Sequence, residues 1–245
     1  PPGIQVLWDL GFRVVRTVDS TKSNTGAAAA KSLPASLQEG LIAYYPFNGN
    51  ANDESGNGHH GEVKGATLTS DRYARADGAY HFNGIDNLVE SKNIWPRCDV
   101  GTVAAWVRSE SDNHGLIVGT KSTSAGIGLT VPGGKEFLFG FYLNRTPAVS
   151  QQDNLFLVDT REIERFYHVV GVSSGTKMTM YLDGKSMTSR DISLHETIMN
   201  RPVQIGGTDR NINPNYFNGV IDDVRIYNRA LSEAEVKSLY EFEKP

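Results

Sequence analysis

The sequence predicts an all-β fold closed by one short C-terminal helix. Two observations carry this prediction. From Gly40 onward, short apolar or alternating runs are separated by Gly, Asn and Asp turns, which is the pattern of a sandwich or barrel. Near the end, "LSEAEVKSLYEF" reads as a capped helix: Ser232 is the N-cap, Glu235 completes a capping box, and Leu231 and Val236 take the staple positions.

Taken in order, the expected strands are "LIAYYPF", "AYHFNG", "GTVAAWVR", "GLIVGT", "GIGLTV", "EFLFGFYL", "RFYHVVGVSS", "KMTMYLDG", "RPVQIGG" and "NGVIDDVRIYN". The clearest hairpin lies at "KMTMYLDGKSMT", where Met178, Met180 and Leu182 alternate with Thr179 and Tyr181, and Asp183-Gly184 supplies the positive φ angles of a type I′ turn. Trp106 sits inside an expected central strand and is assigned to the core.

The chain has 245 residues, 39% of them hydrophobic, enough to bury a sizeable core. Its net charge is −4, with basic and acidic residues interspersed, so there is no basic stripe for nucleic acid. No apolar run reaches the roughly 18 residues that span a bilayer, so membrane insertion is not expected. The first residues carry no signal-peptide pattern, and the lone Cys98 precludes an internal disulfide. Residues 1–17 read as the tail of a preceding domain or an extra strand, residues 18–39 as a Ser/Thr/Ala-rich linker, and residues 40–245 as the domain.

The densest cluster of potential ligand groups is "YPFNGNANDESGNGHHGE", Tyr45 to Glu62. Its oxygens suit a hard cation, and calcium is the expected cofactor. An EF-hand register starting at Asp53 places Ser55, Asn57 and Gly58 correctly but puts Lys64 where a bidentate glutamate is needed, so the loop is not an EF-hand. Asp222 in "VIDDVR" alternates with Val220, Val224 and Ile226 and is expected on the side they bury. The competing reading of Asp53 to Gly58 is an Asx-rich turn that satisfies backbone amides. His59 and His60 have no third His or Cys at ligand spacing, which speaks against zinc, and the other histidines are expected to be hydrogen-bonded structural residues.

Five motifs, in order, carry a family resemblance: "GLIAYYPFNGNANDESGNGHHGEVKGAT", "AYHFNGIDNLVES", "GTVAAWVRS", "FYHVVGVSSGTKMTMYLDGK" and "QIGGTDRNINPNYFNGVIDDVRIYNRALSEAEVKSLY". Together they resemble the laminin-G-like jelly-roll modules of the concanavalin A-like lectin/glucanase superfamily. The resemblance implies a two-sheet antiparallel jelly-roll sandwich in which the first strand pairs near the last. It also implies a noncatalytic, extracellular or periplasmic module of a multidomain protein that binds a glycan or a surface protein, often with a structural calcium. The pairing of first and last strands makes Asp222 the partner of Asp53 in that calcium site, with Asn48 and Asn57 as further ligands. Separately, "GFRVVR" resembles the closing strand of the formylglycine-generating (sulfatase-modifying factor) family.

Sugar rings need an aromatic to stack on and polar groups alongside, and Trp95, Tyr142 and Tyr216 meet that description beside expected loops. Two other readings stand beside the glycan-binding one. The first is a protein-binding adhesive or structural spacer; the second is a divergent glycosidase using Glu162 and Glu164 of "TREIER", two apart on one strand face but lacking the usual intervening aspartate. No nucleophile elbow, P-loop or dinucleotide fingerprint is present.

Overall fold

A computed structural model describes residues 32–97, 99–120, 126–132, 137–144, 152–158, 162–192, 198–208 and 215–245. Among these, one sheet holds β1 (Leu41–Tyr45), β3 (Thr67–Thr69), β4 (Ala79–Asn83), β6 (Val100–Ser109), β11 (Phe166–Ser174), β12 (Lys177–Leu182), β13 (Lys185–Asp191) and β17 (Asn218–Tyr227). The other holds β2 (Gly61–Lys64), β5 (Leu88–Arg97), β7 (Gly115–Thr120), β8 (Gly126–Val131), β9 (Phe137–Asn144), β10 (Gln152–Val158) and β14 (Ile198–Ile205), joined by the short pair β15 (Gly207–Thr208) and β16 (Asn215–Tyr216). The first sheet runs in the order β13-β12-β11-β6-β17-β4-β3 and the second β10-β9-β8-β7-β14-β5-β2. This is the two-sheet jelly roll with a short C-terminal helix, α1 (Glu233–Glu243), that the sequence predicts. No helix among the described residues is long and apolar enough to cross a membrane.

The first strand lies beside the last: Tyr45 opposes Val224 and Leu41 opposes Tyr227, antiparallel. Between the sheets, Val103, Ala105 and Val107 of β6, Met178 and Met180 of β12 and Val224 and Ile226 of β17 meet Ile117, Leu129, Val131, Phe139, Val203 and Ile205. The β12–β13 hairpin turns through Asp183 at φ 48° and Gly184 at φ 74°, as its type I′ signature requires.

The central strands of the first sheet bury their other face too. Ala104, Val170, Val172, Tyr181 and Tyr227 pack under Leu231, Val236 and Leu239, with Leu37 in the same cluster. Leu37 belongs to the stretch read as linker, yet it is fully buried, so the compact unit starts at Leu33 and not at Gly40. The capping box forms as written: Ser232 Oγ accepts from the Glu235 amide at 3.3 Å, and the Ser232 amide donates to Glu235 Oε2 at 2.8 Å. Trp106 is buried as expected, but it faces α1, not the space between the sheets.

Candidate functional site

The Asp53 turn is held by protein groups. Asp53 Oδ1 accepts from the amides of Tyr44 and Ser55, both at 2.9 Å, and Oδ2 accepts from the His59 amide at 2.9 Å. Burial pushes the pKa of this carboxyl up, but the three N–H donors together outweigh it and hold the group below its ordinary value. Asn57 Nδ2 donates to the carbonyls of Leu41 and Ile42, the Tyr45 hydroxyl donates to the His59 carbonyl at 2.7 Å, and Asn48 stays exposed. The loop is thereby stapled to β1 through side-chain and backbone hydrogen bonds.

Asp222 does not join it. In β17, Asp222 opposes Trp106 but Arg225 opposes Ala104, so Asp223 and Val224 together face a single residue of β6. This bulge, with Asp223 at φ 46°, reverses the side-chain parity. Val224 and Ile226 point between the sheets, whereas Asp222 and Arg225 point toward α1. The Asp222 carboxylate pairs with Arg72, so the oxygens of the Asp53 loop and Asp222 form no common cage for calcium, and Asn48, Asp53, Asn57 and Asp222 as arranged do not fit that ion. Among the described residues no group of three His, Cys, Asp or Glu is placed to hold a metal. Asp53→Ala is expected to destabilise the domain by about 2–3 kcal/mol by orphaning the three amides, while EDTA leaves the wild-type melting temperature unchanged. Because the Asp53 pKa is lowered, its contribution is present at neutral pH and is lost as pH falls through the carboxylate range.

The histidines divide. His81 pairs with Glu110 at 3.0 Å, His114 contacts Asn215 at 3.3 Å, and His60 Nδ1 accepts from the Asp53 amide at 3.2 Å. His168 differs from expectation: it is fully buried in a cluster with Trp106 and Tyr240, which also pack on each other, and its ring nitrogens make no hydrogen bond. Burial, with Arg72 and Arg225 nearby, pushes its pKa down to about 3, so it packs as a neutral aromatic. His195 lies outside the described residues.

Glu162 and Glu164 are not a strand pair. They lie in the turn preceding β11, with Glu164 at φ 74° and both exposed, so they share no strand face across which a glycan would bind.

The outer face of the second sheet is different in character. Directly opposed residues lie on one face, and one row runs Glu62, Glu90, Gln204, Gly119, Gly128, Tyr142 across β2, β5, β14, β7, β8 and β9. Their chain neighbours Val89, Val118, Leu129 and Ile205 point into the core, and so does Phe139, on the opposite parity to Tyr142 in β9, so this row faces away from it. A second row places Thr130, Gly140 and Phe156 side by side.

Glycines let the aromatic rings lie down on this face. A methyl at Gly128 would meet Tyr142 Oη at 2.7 Å and Cζ at 2.8 Å, so the Tyr142 ring lies across β8. A methyl at Gly140 would meet Phe156 Cδ1 and Cε1 at 3.0 Å, so that ring lies across β9. Phe156 remains 42% exposed and Tyr142 is half-buried. Further along the first row, Gln204 Nε2 donates to Glu90 Oε2 at 2.6 Å, and Lys64 Nζ reaches Glu90 Oε1 at 3.2 Å. Four strand spacings, roughly 19 Å, separate Glu90 from Tyr142, with side-chain-free Gly119 between them.

Of the three aromatics expected at a sugar site, Tyr142 is on this face, and it is there as a strand residue. Tyr216 lies in β16 against Gly207, apart from the row. Trp95 belongs to β5, but its side chain lies outside the described residues. Phe156 is absent from the expected set because β10 is not among the expected strands. The signal for it is the run "NLFLV", whose alternation places Leu155 and Leu157 inside and Phe156 outside.

A family model described as the concanavalin A-like lectin/glucanases superfamily matches residues 86–237. No curated protein sequence matches the chain. Among solved structures, the chain is similar to domain 4 of AbnA, a GH43 extracellular arabinanase from Geobacillus stearothermophilus in complex with arabinotriose, at TM-score 0.62 and 20% identity, covering 82% of this chain and 98% of that one. It is similar to the botulinum neurotoxin serotype D ligand binding domain in complex with N-acetylneuraminic acid, at TM-score 0.64 and 19% identity, covering 85% and 52%. It is also similar to the binding domain of Paraclostridial Mosquitocidal Protein 1, at TM-score 0.66 and 20% identity, covering 83% and 52%. At these identities the likeness is one of fold, and the chain spans about half the length of the two toxin domains. The likeness of residues 1–17 to a formylglycine-generating domain finds no support in these matches, and those residues lie outside the described ones.

Proposed function

The chain belongs to the concanavalin A-like lectin/glucanase superfamily, and from that premise we propose that it is a noncatalytic carbohydrate-binding module whose ligand lies on the outer face of the second sheet. The observation that carries this reading is the pair of rings, Tyr142 and Phe156, laid flat over glycines. Flat rings offer an apolar surface to the C–H face of a sugar, while the part-exposed Glu90 carboxylate, steadied from below by the buried Gln204 amide, supplies an acceptor for hydroxyls. The length of the row suits several linked units better than one terminal sugar. A noncatalytic role is favoured because Glu162 and Glu164, exposed in the turn before β11, share no strand face.

An exported, multidomain setting is supported by the extracellular arabinanase, in which the similar unit is domain 4. The test is a glycan array followed by titration calorimetry, with arabinotriose and N-acetylneuraminic acid among the probes. Tyr142→Ala and Phe156→Ala should each weaken binding by about ten- to a hundred-fold, the loss of one aromatic contact of about 1.5–3 kcal/mol. A silent array with a protein recovered on the same face would replace this reading with an adhesive one. Binding that survives both substitutions would place the sugar elsewhere.

A further inference from the structure

Beneath α1, a buried guanidinium lies against the aspartate that the sequence suggests as a metal ligand. Arg72 enters from the loop between β3 and β4, and its side chain is 2% exposed. Nη1 pairs with Asp222 Oδ2, Nη2 with Asp223 Oδ2 at 2.6 Å, and Nε donates to the Glu243 carbonyl at 2.8 Å. Two carboxylates and a backbone carbonyl form the kind of oxygen set that holds a hard divalent cation. The Trp106 ring walls the group, its centroid 4.7 Å from the Arg72 Cζ. One oxygen is left over: Asp222 Oδ1 is buried without a hydrogen-bond partner, on a residue with no exposed surface.

The charges support the same reading. Asp222, Asp223 and Glu243 face Arg72 and Arg225, three carboxyls against two guanidiniums. Removing Arg72 leaves three against one, a surplus of two negative charges that a single dication offsets. We propose that Arg72 is the module's internal cation, and that truncating it converts the bulge aspartates of β17 into a divalent-cation site. Arg72 projects inward from a surface loop, so a shorter side chain also opens the path by which an ion enters.

The experiment uses the full chain and terbium as the probe, because an ion seated at this position lies close enough to Trp106 for indole-sensitised emission. Arg72→Ala and the polar, uncharged Arg72→Gln should take up terbium, release it to calcium, and gain roughly 5–10 °C in melting temperature in saturating calcium. Wild type should show neither effect, and adding Asp222→Asn to Arg72→Ala should abolish both. If neither single variant folds in EDTA, recovery of near-ultraviolet circular dichroism in calcium alone supports the proposal, and failure to recover in calcium overturns it. A folded variant that binds no terbium, or wild type that binds it equally well, also overturns it.

Discussion

Glu243→Ala is expected to destabilise the domain by about 3–5 kcal/mol, lowering its melting temperature by roughly 10 °C, although Glu243 ends α1 only two residues from the last position of the sequence. Its carboxylate is 2% exposed and does two jobs: Oε1 pairs with Arg225 Nε at 2.5 Å, and Oε2 accepts from Trp106 Nε1 at 3.0 Å. Arg225 is 3% exposed at its side chain, with its guanidinium carbon 3.5 Å from the Tyr44 ring centroid. Truncation therefore strands a buried cation and an indole N–H together, which is far more costly than losing an exposed ion pair. Urea unfolding followed by tryptophan fluorescence measures the effect, and a loss below about 1 kcal/mol would refute the role assigned to the buried Glu243 carboxylate.

Glu243→Gln separates charge from shape, since the amide keeps an acceptor for Trp106 but cannot titrate. Burial is the largest influence on the Glu243 carboxyl and raises its pKa, reinforced by Asp223 and opposed by Arg225; Asp222 is raised for the same leading reason. A carboxyl whose folded pKa is raised contributes stability that is complete below the ordinary carboxylate range and declines as pH rises through the folded value. Stability should thus fall on going from mildly acidic to alkaline buffer, and Glu243→Gln should flatten that slope.

How far these features are legible depends on how local their causes are. The β12–β13 hairpin and the α1 capping box are written in adjacent residues, so alternation and turn chemistry reveal them. The partner of Asp222 is Arg72, 150 positions earlier, in a loop without periodicity that nothing in "VIDDVR" indicates. The β17 bulge adds a second obstacle: strict alternation puts Asp222 with Val224 and Ile226, and one extra residue moves it to the other face. Tyr142 stands out in the sequence for its neighbourhood to an expected loop, whereas its role rests on Gly128 of the adjacent strand, which only the register reveals.

Gly206→Ala is the second large effect, and its size follows from two separable terms. Gly206 joins β14 to β15 at φ 78°, where its amide donates to the Ile117 carbonyl at 2.8 Å and its carbonyl accepts from the Phe217 amide at 2.9 Å. The left-handed conformation alone disfavours a non-glycine residue by about 1–2 kcal/mol. A methyl here would also be driven into Cδ1 and Cε1 of Phe82, a ring with no exposed surface, adding about 1–3 kcal/mol of overpacking. Gly49 has the same φ of 78° with nothing within 4 Å of an added methyl, so Gly49→Ala should show the conformational term by itself. Equal losses for the two variants would remove the steric argument, while partial rescue of Gly206→Ala by Phe82→Leu would establish it. Gly206 lies two residues beyond Gln204, whose buried amide holds the Glu90 carboxylate on the proposed glycan face. A shift that relieves the clash should therefore disturb the Gln204–Glu90 contact and weaken sugar binding more than the stability loss alone accounts for.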